Sequence, residues 1–347
     1  MIDEDKVLTN LTMEGLEKRY ADITDAVRER AQYELETIIK LGFTGQFLLA
    51  ADCAHWANKV RGIPIIACGA TAGSLVAYAL GITNLDPFKY HLLFERFIRI
   101  EKPVFPYFAL NASATGRDAL IEHITRKCGA VPDGFLMDDE YLGLEVLDTI
   151  KNAEDRIGID IDTIPLDDRK TFAMLENGDS AGVFEFESGE MQTFLKLAKP
   201  DRFEDLIALY ALNHPGPIDN IPDFIDSKMK RKPVTRFHLL VDDILRETYG
   251  VIVYQEQVMR IFHDIAGYTL AQGDMHRRTL AKMRADIIAI EREQFISESG
   301  AKGISKWDAD RIFELLCQYT PYAFNKSHAA TYAMMSYQTA YLKANFS

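Results

Sequence analysis

The stretch KPVFPYFALNASATGRD, residues 102–118, joins an apolar run to the start of a helix. It contains no carboxylate before Asp118. The run PVFPYFAL predicts a β-strand, and ATGRDALIEHITRKCG predicts a helix that Ser113 or Thr115 caps. What this carboxylate-free strand does in the protein depends on the sequence around it.

The segments before this stretch alternate between helical and strand patterns. Residues 13–41 have helical spacing and stop at Gly42, and GQFLLAADCAHWANKV predicts a further helix. GIPIIACG is short, β-branched and bounded by glycines, which predicts a buried strand, and ATAGSLVAYALG returns to helix.

After the stretch, FLMDDEYLGL predicts a third strand that leads into a helix, and GVFEFES predicts one short strand. Beyond residue 155 the pattern is otherwise helical, with a proline-glycine turn at NHPGPIDNIP. We therefore expect an α+β fold that is mostly helical. A small sheet covered by helices is expected in residues 1–155, and a helical domain in residues 156–347.

The composition is that of a globular protein. Of the 347 residues, 48% are hydrophobic and 26% are charged, and no apolar run reaches the roughly 18 residues of a membrane span. The beginning, MIDEDKVLTN, is acidic and does not resemble a secretory signal. The four cysteines form no CxxC pair, which argues against a zinc site or a disulfide framework and favours the reducing cytoplasm.

The charge is negative overall but uneven. The net charge of −13 argues against a dedicated nucleic-acid binder, whereas residues 226–238 and 276–284 are locally basic. Such runs are either solvated faces or the wall of a local DNA groove, and charge alone does not separate the two.

Five stretches carry a specific resemblance: GITNLDPFKYHLLFERF (81–97), GVFEFESGEM (182–191), FEDLIALYALNHPGP (203–217), TYGVIVYQEQVM (248–259) and FNKSHAATYAMMSYQTAYLKA (324–344). In this order they resemble the bacterial replicative DNA polymerase III alpha subunit, the C-family polymerases, from about residue 10 to the end. The resemblance implies a palm of the polymerase-beta-like nucleotidyltransferase type in residues 1–155 and all-α fingers in residues 156–347.

The resemblance also implies that parts of the family are missing. The first-domain phosphoesterase-like module and the C-terminal DNA-binding and clamp-binding regions have no counterpart here. Between the helix ALIEHITRKCG and the strand FLMDDEYLGL the family carries a long segment that includes the thumb, whereas this chain has AVPDG. We expect the thumb to be deleted near residues 129–134.

The family's catalytic aspartates alternate on one strand in a Pro-Asp-x-Asp-x-Asp pattern, which places two carboxylates on one face beside two divalent metals. Alignment on LLFERF and RDALIEH puts Pro106 on the family's proline and Tyr107 on its first aspartate. The two metal-binding positions are Ala109 and Asn111, and the third catalytic aspartate matches Glu140. We expect no bound metal. If an ion were held, Glu140 would be the only remaining ligand at these positions, aided by Asp138 and Asp139. Mg²⁺ would be the cofactor if any activity remained.

The resemblance further implies phosphate-binding residues, which are of two kinds. The first kind is a glycine-rich turn that has lost the family's arginine, and the second is a set of finger cations that could meet phosphates. In the finger motif RPGP, a histidine replaces the arginine. The candidates are Gly69, Gly73, Ser74, His214, Arg277, Arg278, Lys282, Lys326 and His328. The alternative is that the turn is a plain helix start and that the finger motifs, with Tyr254, Gln255, Gln257 and Tyr337, are retained for helix packing.

A second acidic cluster lies in GIDIDTIPLDD. Asp160 and Asp162 alternate as a metal-binding strand pair would, which allows a relocated site. The alternative interpretation is that these residues serve turns and that Asp167 or Asp168 is the N-cap of the next helix.

Three functions follow from these patterns. In the first, the chain is an inactive palm-and-fingers protein that binds primer-template DNA, a deoxynucleoside triphosphate or other replication proteins. In the second, it is a structural remnant or fragment without DNA affinity. In the third, it is a residual Mg²⁺-dependent DNA polymerase. The lost carboxylates, arginine and thumb favour the first two. No membrane association is expected.

Overall fold

The computed structural model describes residues 3–100, 103, 105–135 and 143–346. The chain forms two compact units, one of residues up to Pro165 with Ala330–Gln338, the other of Leu166–Ala329 with residues from Thr339 onward. The structure is mostly helical with one small sheet, which confirms the predicted α+β class. Within the described residues, no helix combines the length and the apolar character that a membrane crossing requires.

The first unit begins with three helices that pack beside the sheet. They are α1 (Glu4–Arg19), α2 (Asp25–Lys40) and α3 (Thr44–His55), and α3 continues into a π-helical turn at Trp56–Arg61. The predicted helical stretch 13–41 is therefore divided. Tyr20 is already extended at the end of α1, and the Thr24 side chain accepts a hydrogen bond from the Val27 amide at the start of α2.

The sheet has three short strands in the order β1 (Ile65–Ala67), β2 (Leu110–Ser113) and β3 (Gly143–Leu144). Strand β1 pairs antiparallel with β2, with Ile66 opposite Asn111, and β2 pairs parallel with β3, with Ala112 opposite Gly143. The predicted mixed sheet is thus confirmed. Of the predicted third strand, only its last two residues fall inside β3, and residues 136–142 lie outside the described residues.

The middle strand begins later than predicted. PVFPYFAL was expected to be the strand, yet β2 starts at its last residue, Leu110. Two prolines without N–H groups precede it, and Ala109 has φ 45°, a left-handed conformation that interrupts an extended chain. The backbone N–H of Phe108, before β2, donates to the carbonyl of Gly134, and that of Leu110, the first residue of β2, donates to the carbonyl of Phe135.

Phe108 anchors β2 in the core of the first unit. Its ring is fully buried and lies edge-on to Phe47 and Phe97, with centroids 5.1 and 5.4 Å away. Phe135 packs on it at 5.3 Å. Leu110 and Ala112 of β2 lie in the same core cluster as Phe108. Because side chains alternate along a strand, Asn111 between them faces the other side of the sheet.

The remaining helices of the first unit are α4 (Leu75–Ala79), α5 (Arg117–Cys128) and α6 (Glu145–Ile157). The predicted caps of α5 are wrong, because the N-cap is Gly116 and makes no side-chain capping bond. Ser113 Oγ accepts from the Gly116 amide instead, and Thr115 bonds to the Asp148 carboxylate.

The second unit is helical. Its helices are α7 (Arg169–Glu176), α8 (Gly189–Ala198), α9 (Phe203–Leu212), α10 (Ile221–Lys228), α11 (Leu239–Ile244), α12 (Gln255–Ala266), α13 (Leu270–Leu280), α14 (Ala285–Ala301) and α15 (Lys306–Tyr319); the last helix, α16 (Lys326–Phe346), contributes to both units. The predicted strand GVFEFES is wrong. It forms turns, because Gly182 and Glu185 take left-handed backbone angles of φ 72° and 60°.

Candidate functional site

The two positions that match the family's metal-binding aspartates are buried in the first unit. Ala109, just before β2, is 2% exposed, and Asn111, within β2, is fully buried; their apolar neighbours Phe108, Leu110 and Ala112 are buried as well. The Asn111 amide donates to Cys68 Sγ at 3.0 Å, and the Cys68 backbone N–H donates to the Ala109 carbonyl at 3.1 Å. These positions therefore serve packing and backbone pairing, closed to solvent.

The groups around Asn111 do not fit Mg²⁺. Burial raises the pKa of the Cys68 thiol to about 12, while hydrogen bonds from Asn111 and Tyr332 act in the opposite direction. Cys68 is then a neutral thiol at pH 7, and Ala109 offers no oxygen ligand. Mg²⁺ needs several hard oxygen ligands in octahedral geometry.

Glu140, Asp138 and Asp139 lie outside the described residues. Among the residues that the structure does describe, no group of three or more His, Cys, Asp or Glu side chains is placed to hold a metal ion. The predicted carboxylate contribution to a site at β2 therefore stays a prediction that concerns residues 138–140 alone.

The acidic cluster after α6 has the turn and capping roles proposed as the alternative to a metal site. Asp160 accepts from the Asp162 amide at the start of a 3₁₀ turn, and Asp162 accepts from the Asn84 side chain at 3.0 Å. Asp168 is the N-cap of α7 and accepts from Thr171. Capping by Asp168 is thus confirmed.

The glycine-rich turn lies beside the segment that leads into β2. Gly73 packs so closely that a Cβ atom would lie 2.5 Å from the Leu93 carbonyl oxygen, and Gly69 has φ 69°. The Thr71 hydroxyl donates to the carbonyls of Tyr107 and Phe108, both at 3.1 Å. The structure therefore brings the predicted turn and the predicted catalytic positions together within the first unit.

A carboxylate of the chain itself caps the helix after this turn. Ser74 Oγ donates to Glu34 Oε2 at 2.8 Å and accepts from the Ala77 amide, and the same Glu34 oxygen accepts from the Val76 amide at 3.1 Å. Glu34 is fully buried. Two backbone amides that a phosphate would use at α4 are thus already satisfied, that of Val76 by Glu34 and that of Ala77 by Ser74.

Glu34 is balanced by Arg30, one turn earlier in α2. Arg30 Nε lies 2.5 Å from Glu34 Oε1, and its Nη2 donates to the Gly73 carbonyl at 2.8 Å. Burial raises the pKa of Glu95 nearby, an effect that the Arg30 charge opposes. Glu34 and Arg30 were not predicted from the sequence; the available signal was a glutamate on the buried face of α2 with an arginine four positions before it.

In the second unit, the arginines of α13 are held by an internal carboxylate. Asp274 is fully buried and Arg277 is 7% exposed, with Arg277 Nη2 2.8 Å from Asp274 Oδ1. Arg278 Nε lies 2.8 Å from the other oxygen of Asp274, and about half of its side chain is exposed. Lys282 is exposed. Arg277 is therefore part of the helix core, whereas Arg278 and Lys282 reach the surface.

Lys326, from the FNKSH motif, is also engaged. Its Nζ lies 2.8 and 2.7 Å from the two carboxylate oxygens of Glu247, and its side chain is 2% exposed. The ammonium also lies 5.1 Å from the centre of the Tyr254 ring. A lysine in this position has its charge satisfied by the protein.

The two histidines form one aromatic cluster. The His214 ring lies 4.3 Å from that of Phe324, and the Tyr210 hydroxyl lies 3.4 Å from His328 Nε2. Burial lowers the pKa of His328 to about 4, with a further contribution from the His214 charge, and burial also lowers the pKa of His214. Both rings are therefore neutral at pH 7 and carry no charge toward a phosphate.

The residues assigned to helix packing make packing contacts. The Gln257 side chain accepts from the amides of Val253 and Tyr254 and donates to Thr248, which fixes the start of α12. The Tyr337 hydroxyl donates to the Pro165 carbonyl at 2.6 Å. These hydrogen bonds give Gln257 and Tyr337 a structural role that needs no bound ligand.

Comparison with known proteins finds two domain models of one bacterial protein along the chain. The family model for the bacterial DNA polymerase III alpha NTPase domain matches residues 6–132, and the model for the finger domain of the same subunit matches residues 144–303. Curated relatives named DNA polymerase III subunit alpha include those of Borreliella burgdorferi (36% identical over 98% of this chain), Bacillus subtilis (30%, 99%) and Treponema pallidum (30%, 98%).

The chain spans about two fifths of the length of these relatives: 40% of the Borreliella protein and 42% of the Bacillus protein. The Borreliella alignment extends over 465 residues, more than the 347 of this chain, so that relative has residues within the matched span that lack a counterpart here. Taken together, the two domain matches and these relatives show that the chain belongs to the bacterial DNA polymerase III alpha subunit family.

Proposed function

We propose that this chain is a catalytically inactive member of the family, a palm-and-fingers scaffold that does not add nucleotides. The observation that carries the proposal is the state of β2. The positions matching two metal-binding aspartates are Ala109 and Asn111, both buried, and the Asn111 amide is committed to Cys68. No metal cofactor is required by such a protein.

The energetic argument is direct. Nucleotide addition depends on two metal ions that bridge the attacking hydroxyl and the triphosphate, and carboxylates hold these ions. If each lost carboxylate raises the barrier by about 4 kcal/mol, each slows the reaction roughly 10³-fold. Two such losses leave a rate below any useful level, whatever Glu140 contributes.

Primer extension tests the proposal. The purified chain is incubated with a labelled primer-template, all four deoxynucleoside triphosphates and either Mg²⁺ or Mn²⁺, beside a DNA polymerase that extends the same template. We expect no extension with either metal. Extension that disappears in a Glu140→Gln variant would overturn the proposal, because it would place a working metal site in this chain.

A second candidate concerns what the scaffold still binds. Lys326 and Arg277 are satisfied by Glu247 and Asp274, and His214 and His328 are neutral, which favours a scaffold without strong phosphate affinity over one that holds primer-template DNA. Exposed cations such as Lys282 support the alternative that DNA binding persists.

Salt dependence separates these two candidates. Anisotropy of a labelled primer-template is followed at low and at physiological salt. Binding whose affinity falls steeply with salt would indicate several phosphate contacts, because each contact releases counterions. Absence of binding at low salt would leave the scaffold with protein partners only.

A further inference from the structure

A groove of about 430 Å³ lies in the second unit, between α8 and the segment that leads into α10. Its apolar lining consists of Phe194 and Leu197 of α8, Ile218 of the turn before α10, and Ile221, Pro222 and Ile225 of α10 itself. None of the residues implied by the polymerase resemblance lines it. Its size falls in the range of binding clefts, and its open form suits an elongated ligand.

The lining of α8 is separate from its core-facing side. Met191, Leu195 and Ala198 are fully buried and hold the helix on the unit. Phe194 and Leu197 occupy the adjacent face, and Leu197 is 44% exposed. Phe194 and Leu197 are three residues apart, so their side chains project along one stripe of the helix. This arrangement leaves an apolar stripe available beside a helix that is already anchored.

The rim of the groove is acidic. Glu190, Asp219 and Asp226 contribute carboxylates, and the one cation on the lining, Arg231, lies 3.5 Å from Asp226. Within the described part of the chain, neither Glu190 nor Asp219 has an ion-pair partner. The carboxylates of Glu190 and Asp219 favour a cationic ligand at their part of the rim.

We propose that this groove binds an amphipathic helix of another protein, with apolar residues on one face and lysine or arginine on the flanks. The apolar stripe takes residues spaced i, i+3, i+4 and i+7, and the rim carboxylates pair with the flanking cations. A second copy of this chain is disfavoured, because a two-fold contact through this face would place the acidic rims against each other. The proposal is independent of whether the palm is catalytic.

A synthetic peptide tests the groove without knowledge of the natural partner. The probe is a fluorescent helix-forming peptide of about four turns, with leucines at the spacing above and lysines on both flanks. One matched peptide has glutamates in place of the lysines, and another has the leucines scrambled around the helix. We expect the lysine peptide to bind the full chain, with each matched peptide at least tenfold weaker.

Variants of the chain complete the test. Leu197→Asp should weaken the lysine peptide at least tenfold, whereas Leu11→Asp, at a similarly exposed leucine on α1, should leave it unchanged. The double variant Glu190→Lys/Asp219→Lys reverses the rim charge and should prefer the glutamate peptide. This variant keeps the test decisive if Leu197→Asp does not fold, because both substitutions are at exposed positions.

The proposal is overturned if the lysine peptide does not bind, if the scrambled peptide binds equally well, or if neither the leucine nor the rim variant alters binding. It is also overturned if sedimentation shows a dimer that Leu197→Asp dissociates, because the second copy is then the occupant. Loss of primer extension or of DNA binding has no bearing on these outcomes.

Discussion

The strand β2 and the cationic motifs of the second unit depart from the family's chemistry in different ways. At β2 the motif alignment puts Ala109 and Asn111 where we predict the family's aspartates, and both residues lie in a buried, uncharged environment. In the second unit His214 stands where the finger motif has an arginine, whereas Lys326 and Arg277 remain cations and are neutralised by Glu247 and Asp274. One region has lost its charges by substitution, and the other has its charges engaged inside the protein.

The difference shows that a residue can be unable to bind a ligand for two reasons: its type has changed, or its charge is already paired within the protein. A substitution can be recognised in the sequence, because alanine has no ligand to offer a metal. A retained lysine looks functional in the sequence and gives no sign of its partner. Whether a cation can meet a ligand depends on the partners that the fold gives it, and substitutions in both regions can measure this.

The largest effect is expected from Lys326→Ala. The substitution leaves the Glu247 carboxylate without its partner in a poorly hydrated place, which should lower the free energy of unfolding by about 3–5 kcal/mol. Urea denaturation measures it, with Lys282→Ala as the exposed control, expected within about 0.5 kcal/mol of the parent. If Lys326→Ala retains the parent's stability, Lys326 is not held as a structural ion pair.

The next effect concerns the restored carboxylate at β2. Asn111→Asp places an acid in a fully buried site and should cost about 2–4 kcal/mol at neutral pH. Burial raises the folded-state pKa of such an acid above its unfolded value of about 3.9, so the cost is present at neutral pH and shrinks as the pH falls toward 4. Urea titrations of this variant and the parent at several pH values measure the change.

Asn10→Asp, at an exposed asparagine of α1, is the matched control and should show no such pH-dependent loss. Millimolar Mg²⁺ should restore none of the stability lost in Asn111→Asp. If the metal did restore it, the ligand set around β2 would be more complete than the described residues indicate.

A smaller effect is expected from Ser74→Ala, in the glycine-rich turn. The hydroxyl caps α4 and donates to Glu34, so its removal should cost about 1–2 kcal/mol. Thr235→Ala, at an exposed position, should change stability by less than about 0.5 kcal/mol. If a triphosphate stabilises the parent against heat and not Ser74→Ala, the turn binds phosphate and is not simply capped by Glu34.

The smallest effect is the titration of His328. Nuclear magnetic resonance should give a pKa of about 4, and His214→Ala should raise it by removing part of the burial and the neighbouring charge. In the unfolded chain the pKa of a histidine is near 6.5, so the unfolded state binds more protons than the folded state between pH 6.5 and pH 4. The free energy of unfolding should therefore decrease as the pH falls through this range. A midpoint near 6.5 in the folded protein would mean that the cluster is open to water.

Much of the fold follows from local patterns in the sequence. Helical spacing predicted most helices, and the β-branched run around Ile65 predicted β1. The errors arose where backbone geometry depends on neighbours. Because Ala109 has a left-handed backbone angle, β2 begins later than predicted, and because Glu185 has one, the predicted strand GVFEFES does not form. Neither alanine nor glutamate is a residue type that predicts such an angle.

The site was predictable in part for a similar reason. The match of positions 109 and 111 to the family's metal-binding aspartates comes from alignment with a motif and stays a prediction. The partner of Lys326 was not, because Glu247 is 79 residues away in the chain. Glu34, which caps the glycine-rich turn, is likewise 40 residues from Ser74. Long-range pairs of this kind require the fold, and they decide whether a retained cation or turn can still meet a phosphate.

Metal binding tests the central claim most directly. Mn²⁺ is titrated into the purified chain and its free concentration is followed by electron paramagnetic resonance. We expect Mn²⁺ to bind only weakly, with millimolar affinity, to surface carboxylates, and equally in the parent and in Glu140→Gln. A micromolar site that Glu140→Gln abolishes would contradict it, because the palm would then still hold a catalytic metal.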